Sequence, residues 1–286
     1  MGEAEIRVLF GDVNPSGHLP ESFPYKLEDN PSFLYYGGEG DRTEYREGVF
    51  VGYRYYDKKK MDVLFPFGFG LSYTTFAFSN LRLSADCIRD TDILTVTATV
   101  TNTGKRAGKA VAQLYVGDVE STVIRPVREL KGFEKVLLQP GESRDVSFTL
   151  DKRSFAYWNK AIHDWHVETG AFTIEVGDSS RNLPLCAEVT VESTVELPRH
   201  YTADSIYLDI MNDPKAAQIM RSFMEKTMEI FGHEENSAGT EAAKEAISED
   251  MTLAMMKYMP LRGILSFGGA DAEGELNALL EKLNSL

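Results

Sequence analysis

Cysteine is almost missing from this chain: Cys87 and Cys186 are the only two in 286 residues. That is too few for a disulfide-stapled secreted scaffold, and it leans toward the cytoplasm without assigning a location. Tryptophan is equally scarce, with only Trp158 and Trp165. No stretch approaches the roughly 18 uninterrupted apolar residues that a spanning helix needs, so no membrane helix is expected. Positive charge is in short supply as well. Thirty Lys and Arg stand against 44 Asp and Glu, for a net charge of −14. Such a chain lacks the basic footprint of a nucleic-acid binder, and an anionic membrane surface would repel it. The first residues, Met1-Gly2-Glu3-Ala4-Glu5, are acidic where a secretory n-region is positive, so no signal peptide is expected. With 43 % hydrophobic and 26 % charged residues, wholesale disorder and collagen-like structure are excluded too.

Three zones follow one another. Residues 1–72 are rich in Gly, Pro and aromatics. A short helical pattern from Glu5 to Phe10 is closed by Gly11, and Pro15, Gly17, Pro20, Pro24 and Pro31 then impose a turn-and-extended path. A connection this long without periodicity has to lie on something else. Residues 73–192 alternate with period two. Leu94, Val96, Ala98 and Val100 oppose Thr95, Thr97, Thr99 and Thr101, which is the pattern of a sheet with one buried face. The stripes Ala110/Ala112/Leu114/Val116, Val146/Phe148/Leu150, Phe172/Ile174/Val176 and Ala187/Val189/Val191 repeat it. Turns separate the runs at Asn102-Thr103-Gly104, Pro140-Gly141 and Gly177-Asp178-Ser179-Ser180, with Gly141 expected at positive φ. About seven short strands without helical segments predict a mainly β protein, an immunoglobulin or fibronectin type III-like sandwich.

Residues 201–286 switch to helical spacing. Asp213 before Pro214 reads as an N-cap with proline at the first helical position. Ala217, Met220, Phe223 or Met224, Met228 and Phe231 recur behind it, up to Gly232. A second helix is expected from Thr240 to Tyr258 and a third from Ala272 to Asn284, carrying Leu276, Leu279, Leu280 and Leu283. Eight of the ten methionines lie between Met211 and Met259, which suits an adaptable core or a docking surface.

Few residues suggest chemistry. Gly68-Phe69-Gly70 lacks the strand, helix and third glycine of a phosphate loop and reads as a tight aromatic turn. His163 and His166 could share a metal only on a helix, and they sit between strand patterns. Glu39, Asp41, Glu44 and Glu47 offer carboxylates with nothing to separate an acid from a base, which is what a solvated acidic loop looks like. Cys87 and Cys186 read as single buried or half-buried thiols.

Specific strings nevertheless stand in the first two zones. Val8 to Pro20 (VLFGDVNPSGHLP) with Phe23-Pro24, Tyr45 to Asp57 (YREGVFVGYRYYD) and Leu64 to Thr74 (LFPFGFGLSYT) resemble the end of the α/β-sandwich domain and the linker of family 3 glycoside hydrolases, the β-glucosidase family. Arg125 to Lys135 with Pro140-Gly141-Glu142 resembles that family's fibronectin-like domain. His18 departs from the usual Lys or Arg. The resemblance covers about residues 8–192, and Met259-Pro260-Leu261-Arg262 is similar to a helical extension on some bacterial members.

The resemblance divides the chain into an α/β-sandwich end with linker (1–72), a fibronectin-like sandwich (73–192) and a helical extension (201–286). It implies a parent enzyme that retains configuration with two carboxylates, releases terminal β-linked glucosyl or xylosyl residues, and needs no cofactor. In the family those carboxylates precede the strings found here, so no catalytic, cofactor-binding or metal residue is expected in this chain. Asp164-Trp165 imitates part of the nucleophile motif, but His163 replaces its serine. The expected role is to brace catalytic domains of the same enzyme. The alternatives are a carbohydrate-binding module, and a docking or homo-oligomerising module built on the Met-rich tail.

Overall fold

The computed structural model describes residues 2–234, 256–265 and 272–286, and it divides into two compact units, Met1–Glu196 and Leu197–Leu286. The first unit is built on two sheets. β1 (Phe76–Leu83), β3 (Leu94–Asn102) and β6 (Ser143–Leu150) form a three-stranded antiparallel sheet. Five strands make the other: β2 (Cys87–Arg89), β10 (Leu185–Glu192), β9 (Gly170–Gly177), β4 (Gly108–Asp118) and β5 (Glu129–Leu138), in that order. Leu94, Val96, Ala98 and Val100 of β3 are fully buried and share one core with Ala112 and Leu114 of β4 and with Phe172, Ile174 and Val176 of β9. The alternation read from the sequence is thus the inner face of a sandwich, because side chains two apart on a strand share a face.

Among the described residues the strands number ten, beyond the expected seven. The additions are too short to show alternation: three-residue β2, which pairs in parallel with β10, and the hairpin of β7 (Tyr157–Asn159) and β8 (Asp164–His166). At the Pro140-Gly141 turn, Gly141 has φ +76° and Glu142 N donates to Gln139 O at 2.9 Å. The cysteines are a correction to the sequence reading, since both are exposed. On β2 it is Ile88 that turns inward, and on β10 it is Val189 and Val191, which leaves Cys87 and Cys186 on outward phases.

Two helices precede the strands, α1 (Gly2–Leu9) and the one-and-a-half-turn α2 (Tyr53–Lys58), and α3 (Lys152–Phe155) leads into the β7–β8 hairpin. Gly11 follows α1 at φ +80°, where the sequence placed the end of the helix.

The second unit contains α4 (Tyr207–Met211), α5 (Pro214–Glu234), α6 (Leu261–Leu265) and α7 (Ala272–Asn284). α5 begins as expected: Lys215 N donates to Asp213 Oδ1 at 3.0 Å, and the helix runs two residues past Gly232. Its Ala216 and Met220 are fully buried with Ile210, Leu261, Leu279 and Leu283. Met211, Met224, Met256 and Met259 pack around this core, so these methionines serve packing. The helix expected at Thr240–Tyr258 lies, up to residue 255, outside the described residues. α7 spans the expected residues, and Asn284 exchanges two hydrogen bonds with the Tyr201 backbone, at 2.8 and 2.9 Å, closing the unit on itself.

Asp213 also accepts from the Tyr201 hydroxyl at 2.7 Å and pairs with Arg199. These partners, Tyr201 foremost, lower its pKa from 3.8 to about 2. A carboxylate whose pKa is depressed on folding adds stability that is fully present above 3.8 and is lost as pH falls toward about 2. We therefore expect the helical ellipticity of α5 and α7 to melt earlier at pH 2.5 than at pH 6. Asp213→Asn should remove much of that acid sensitivity, and an unchanged difference between the two pH values in the variant would rule out Asp213 as its source.

Candidate functional site

Residues 12–72 form a strap laid over the outer side of the five-stranded sheet. Along β4, Gln113 and Tyr115 stand on the phase opposite the inward Ala112 and Leu114, yet both are buried. The strap covers them. On α2, Tyr53 and Tyr56 are buried and Arg54 faces the end of β5. The Tyr53 ring stacks on Phe67 at 4.7 Å and meets Tyr115 edge-on at 5.9 Å, and Leu130 N donates to the Tyr53 hydroxyl at 2.8 Å. Tyr115 in turn donates to Gln113 Oε1 at 2.6 Å, while Gln113 Nε2 donates to Gly68 O at 3.1 Å. Burial pushes the Tyr115 phenol far above its ordinary range, so it remains a neutral donor. Gly68-Phe69-Gly70 is accordingly an aromatic turn on a polar anchor. Gly68 has φ +80°, and a Cβ there would lie 2.1 Å from Gln113 Oε1.

Ion pairs reinforce the junction. Glu129 of β5 receives Arg54 of the strap at 3.0 Å, with Lys131 at 3.4 Å and Arg125 at 3.8 Å. Arg125 also holds Asp118 at 2.9 Å. Arg181, in the loop between β9 and β10, grips Asp57 at 2.9 Å and the Met61 carbonyl at 2.6 Å. Burial lowers the Lys131 pKa and raises those of Asp118 and Asp57, while their partners pull each the other way. The strap's ends are tied by backbone. Phe23 pairs with Phe65 and His18 with Gly70 as isolated bridges, and Ser180 N donates to Phe67 O at 2.9 Å.

Other aromatic and aliphatic side chains of the strap have no such cover. Tyr36 is 88 % exposed, Tyr45 81 %, Leu34 79 % and Tyr25 65 %. One segment therefore buries some aromatics against the sandwich and leaves others bare.

The candidate chemical residues do not assemble. His163 lies in the β7–β8 turn with φ +50°, whereas His166 is buried in β8 against Tyr157, ring centroids 5.8 Å apart, and burial lowers its pKa. Among the described residues no cluster of three or more His, Cys, Asp or Glu is placed to hold a metal ion. Glu39, Asp41 and Glu44 are exposed and Glu47 half-buried, and Glu44 pairs with Arg46 at 2.6 Å. Asp164 is exposed on β8, and its Oδ1 accepts from Trp165 N at 2.7 Å. The sequence reading missed Gln113 and Tyr115, although an amide and a phenol on an outward phase were the available sign of a covered face. It also missed the tryptophan hairpin: Trp158 and Trp165 pair across β7 and β8, ring centroids 5.6 Å apart, with the Arg153 guanidinium 3.4 Å over Trp165.

Comparison with known proteins gives this geometry a family. The glycosyl hydrolase family 3 C-terminal domain matches residues 1–73, and a fibronectin type III-like domain matches 110–180. The chain matches the C-terminal region of β-glucosidases of glycoside hydrolase family 3. It is 47 % identical over 287 residues to thermostable β-glucosidase B of Acetivibrio thermocellus, aligning over its whole length but spanning 37 % of that relative. It is 43 % identical to an exo-α-(1→6)-L-arabinopyranosidase of Bifidobacterium breve over 77 % of this chain and 28 % of that one. Among solved structures, the family 3 β-glucosidase of Bifidobacterium adolescentis superposes with a TM-score of 0.67 at 42 % identity, over 77 % of this chain and 32 % of its own.

Proposed function

We propose that this chain is the non-catalytic C-terminal region of a retaining β-glucosidase, and that it braces catalytic domains of the same enzyme. In this reading residues 1–72 end an α/β-sandwich domain and continue as the linker, 73–192 form the fibronectin-like brace, and 201–286 are a helical extension. The strap carries the argument. It is fastened to the sandwich through Tyr53, Phe67 and Arg54, and it presents Tyr25, Leu34, Tyr36 and Tyr45 outward as a ready apolar contact. The two carboxylates that such an enzyme needs would come from the preceding domains, with terminal β-linked glucosyl or xylosyl residues as substrate. One similar protein bears the name of an arabinopyranosidase, and in this reading the choice of sugar belongs to the preceding domains.

The chain alone should hydrolyse aryl β-glucosides no faster than buffer. When the barrel and α/β-sandwich domains of the longer enzyme are produced separately and mixed with it, the two should co-elute on size exclusion. Tyr36→Ser with Tyr45→Ser should weaken that association at least tenfold. Turnover by the chain alone that disappears on Asp164→Asn would overturn the reading, as would association indifferent to the tyrosines.

A further inference from the structure

Beside the β7–β8 hairpin lies an open cavity of about 650 Å³, walled on the strap side by Val49. Its floor is charged but committed: Arg125 and Lys131 are held by Asp118 and Glu129. Its rim is different. Arg153 and Lys160 are exposed, and neither has a carboxylate partner among the described residues. Trp158, 49 % exposed, lines the same cavity. It meets Trp165 edge-on rather than stacked, and the Arg153 guanidinium lies 3.4 Å over the Trp165 ring.

An indole held open beside unpaired cations has a definite preference. The flat apolar ring takes the C–H face of a pyranose, and the guanidinium and ammonium take a carboxylate through charge-assisted hydrogen bonds. A neutral sugar would use the ring but could offer the cations only hydroxyl acceptors, whereas a uronate adds the charge-assisted pair. We infer that this cleft binds an acidic oligosaccharide, with a uronate residue stacked on Trp158 and its carboxylate between Arg153 and Lys160. That the ligand is a saccharide rests on the glycosidase reading above; that it is acidic rests on the cleft alone, which is cationic in a chain of net charge −14.

The two tryptophans of the chain both belong to this site, so their fluorescence reports on it alone. The full chain would be titrated with cellotriouronic acid and with cellotriose, which differ only at C6, and the same titrations repeated by calorimetry. We expect saturable binding of the acid, at least tenfold weaker binding of cellotriose, and weakening by salt. Trp158→Ala should abolish binding in calorimetry. Arg153→Gln with Lys160→Gln should bring the acid down to the level of cellotriose. Both variants alter exposed side chains, and far-UV circular dichroism checks that they fold. No response to the acid, a response that survives Trp158→Ala, or equal affinity for the two trisaccharides would each overturn the inference. The glycosidase reading is tested separately, by hydrolysis of an aryl β-glucoside by the longer enzyme. Hydrolysis there without uronate binding here refutes the inference and leaves that reading standing; uronate binding without hydrolysis does the reverse.

Discussion

Val96→Asp should unfold the first unit or come close to it. Val96 is fully buried, opposite Phe148 on β6 and Leu83 on β1, in the core shared with Phe172 and Ile174 of the facing sheet. A carboxylate there has no partner. Burying such a charge costs several kcal/mol, and a domain's whole stability is about 5–15 kcal/mol. Thr95→Asp is the control, because Thr95 is one residue away and exposed. A one-residue step on a strand changes face, so this second variant should stay within about 0.5 kcal/mol of the parent. Urea unfolding followed by tryptophan fluorescence reads both, since Trp158 and Trp165 lie in this unit. Near-parental stability of Val96→Asp, or equal losses in the two variants, would show the register to be wrong.

The second large effect is expected at Tyr53. Truncation to alanine removes the stack on Phe67 and the edge contact with Tyr115, and it strips Leu130 N of its acceptor. Large-to-small substitutions of buried aromatics cost about 3–5 kcal/mol. Tyr53→Phe, which loses only the hydroxyl, should cost about 1 kcal/mol. The loss should be local. In the parent chain, amides from Phe65 to Tyr73 should exchange slowly and those from Gly37 to Thr43 quickly. In Tyr53→Ala the first group should approach the second, while β3 and β6 remain protected. Protection of Phe65–Tyr73 that is indifferent to Tyr53 would mean that the strap is held from elsewhere.

Much of this molecule follows from local sequence. Period-two runs such as Leu94 to Val100 can bury one face only as strands. Pro140-Gly141 can turn only where φ is first near −65° and then positive. Asp213-Pro214 starts a helix because the carboxylate accepts a backbone N–H and the proline has none to waste. The linker strings around Tyr45–Asp57 and Leu64–Thr74 were specific enough to indicate the family, which the comparisons bear out. Three-residue strands were not legible, because two or three positions show no period. Nor was the fate of outward-facing side chains. Alternation places Gln113 and Tyr115 on the outer face of β4, and only the strap, through contacts 45 and 62 residues earlier in the chain, decides that this face is dry. The cysteines went the other way, left in solvent because their neighbours Ile88 and Val189 hold the core positions. Tertiary structure also decided that Trp158 stays half open while Arg153 lies over Trp165. A strand's own pattern reports which side of it is apolar; what covers the other side depends on distant segments whose approach leaves no period in the sequence.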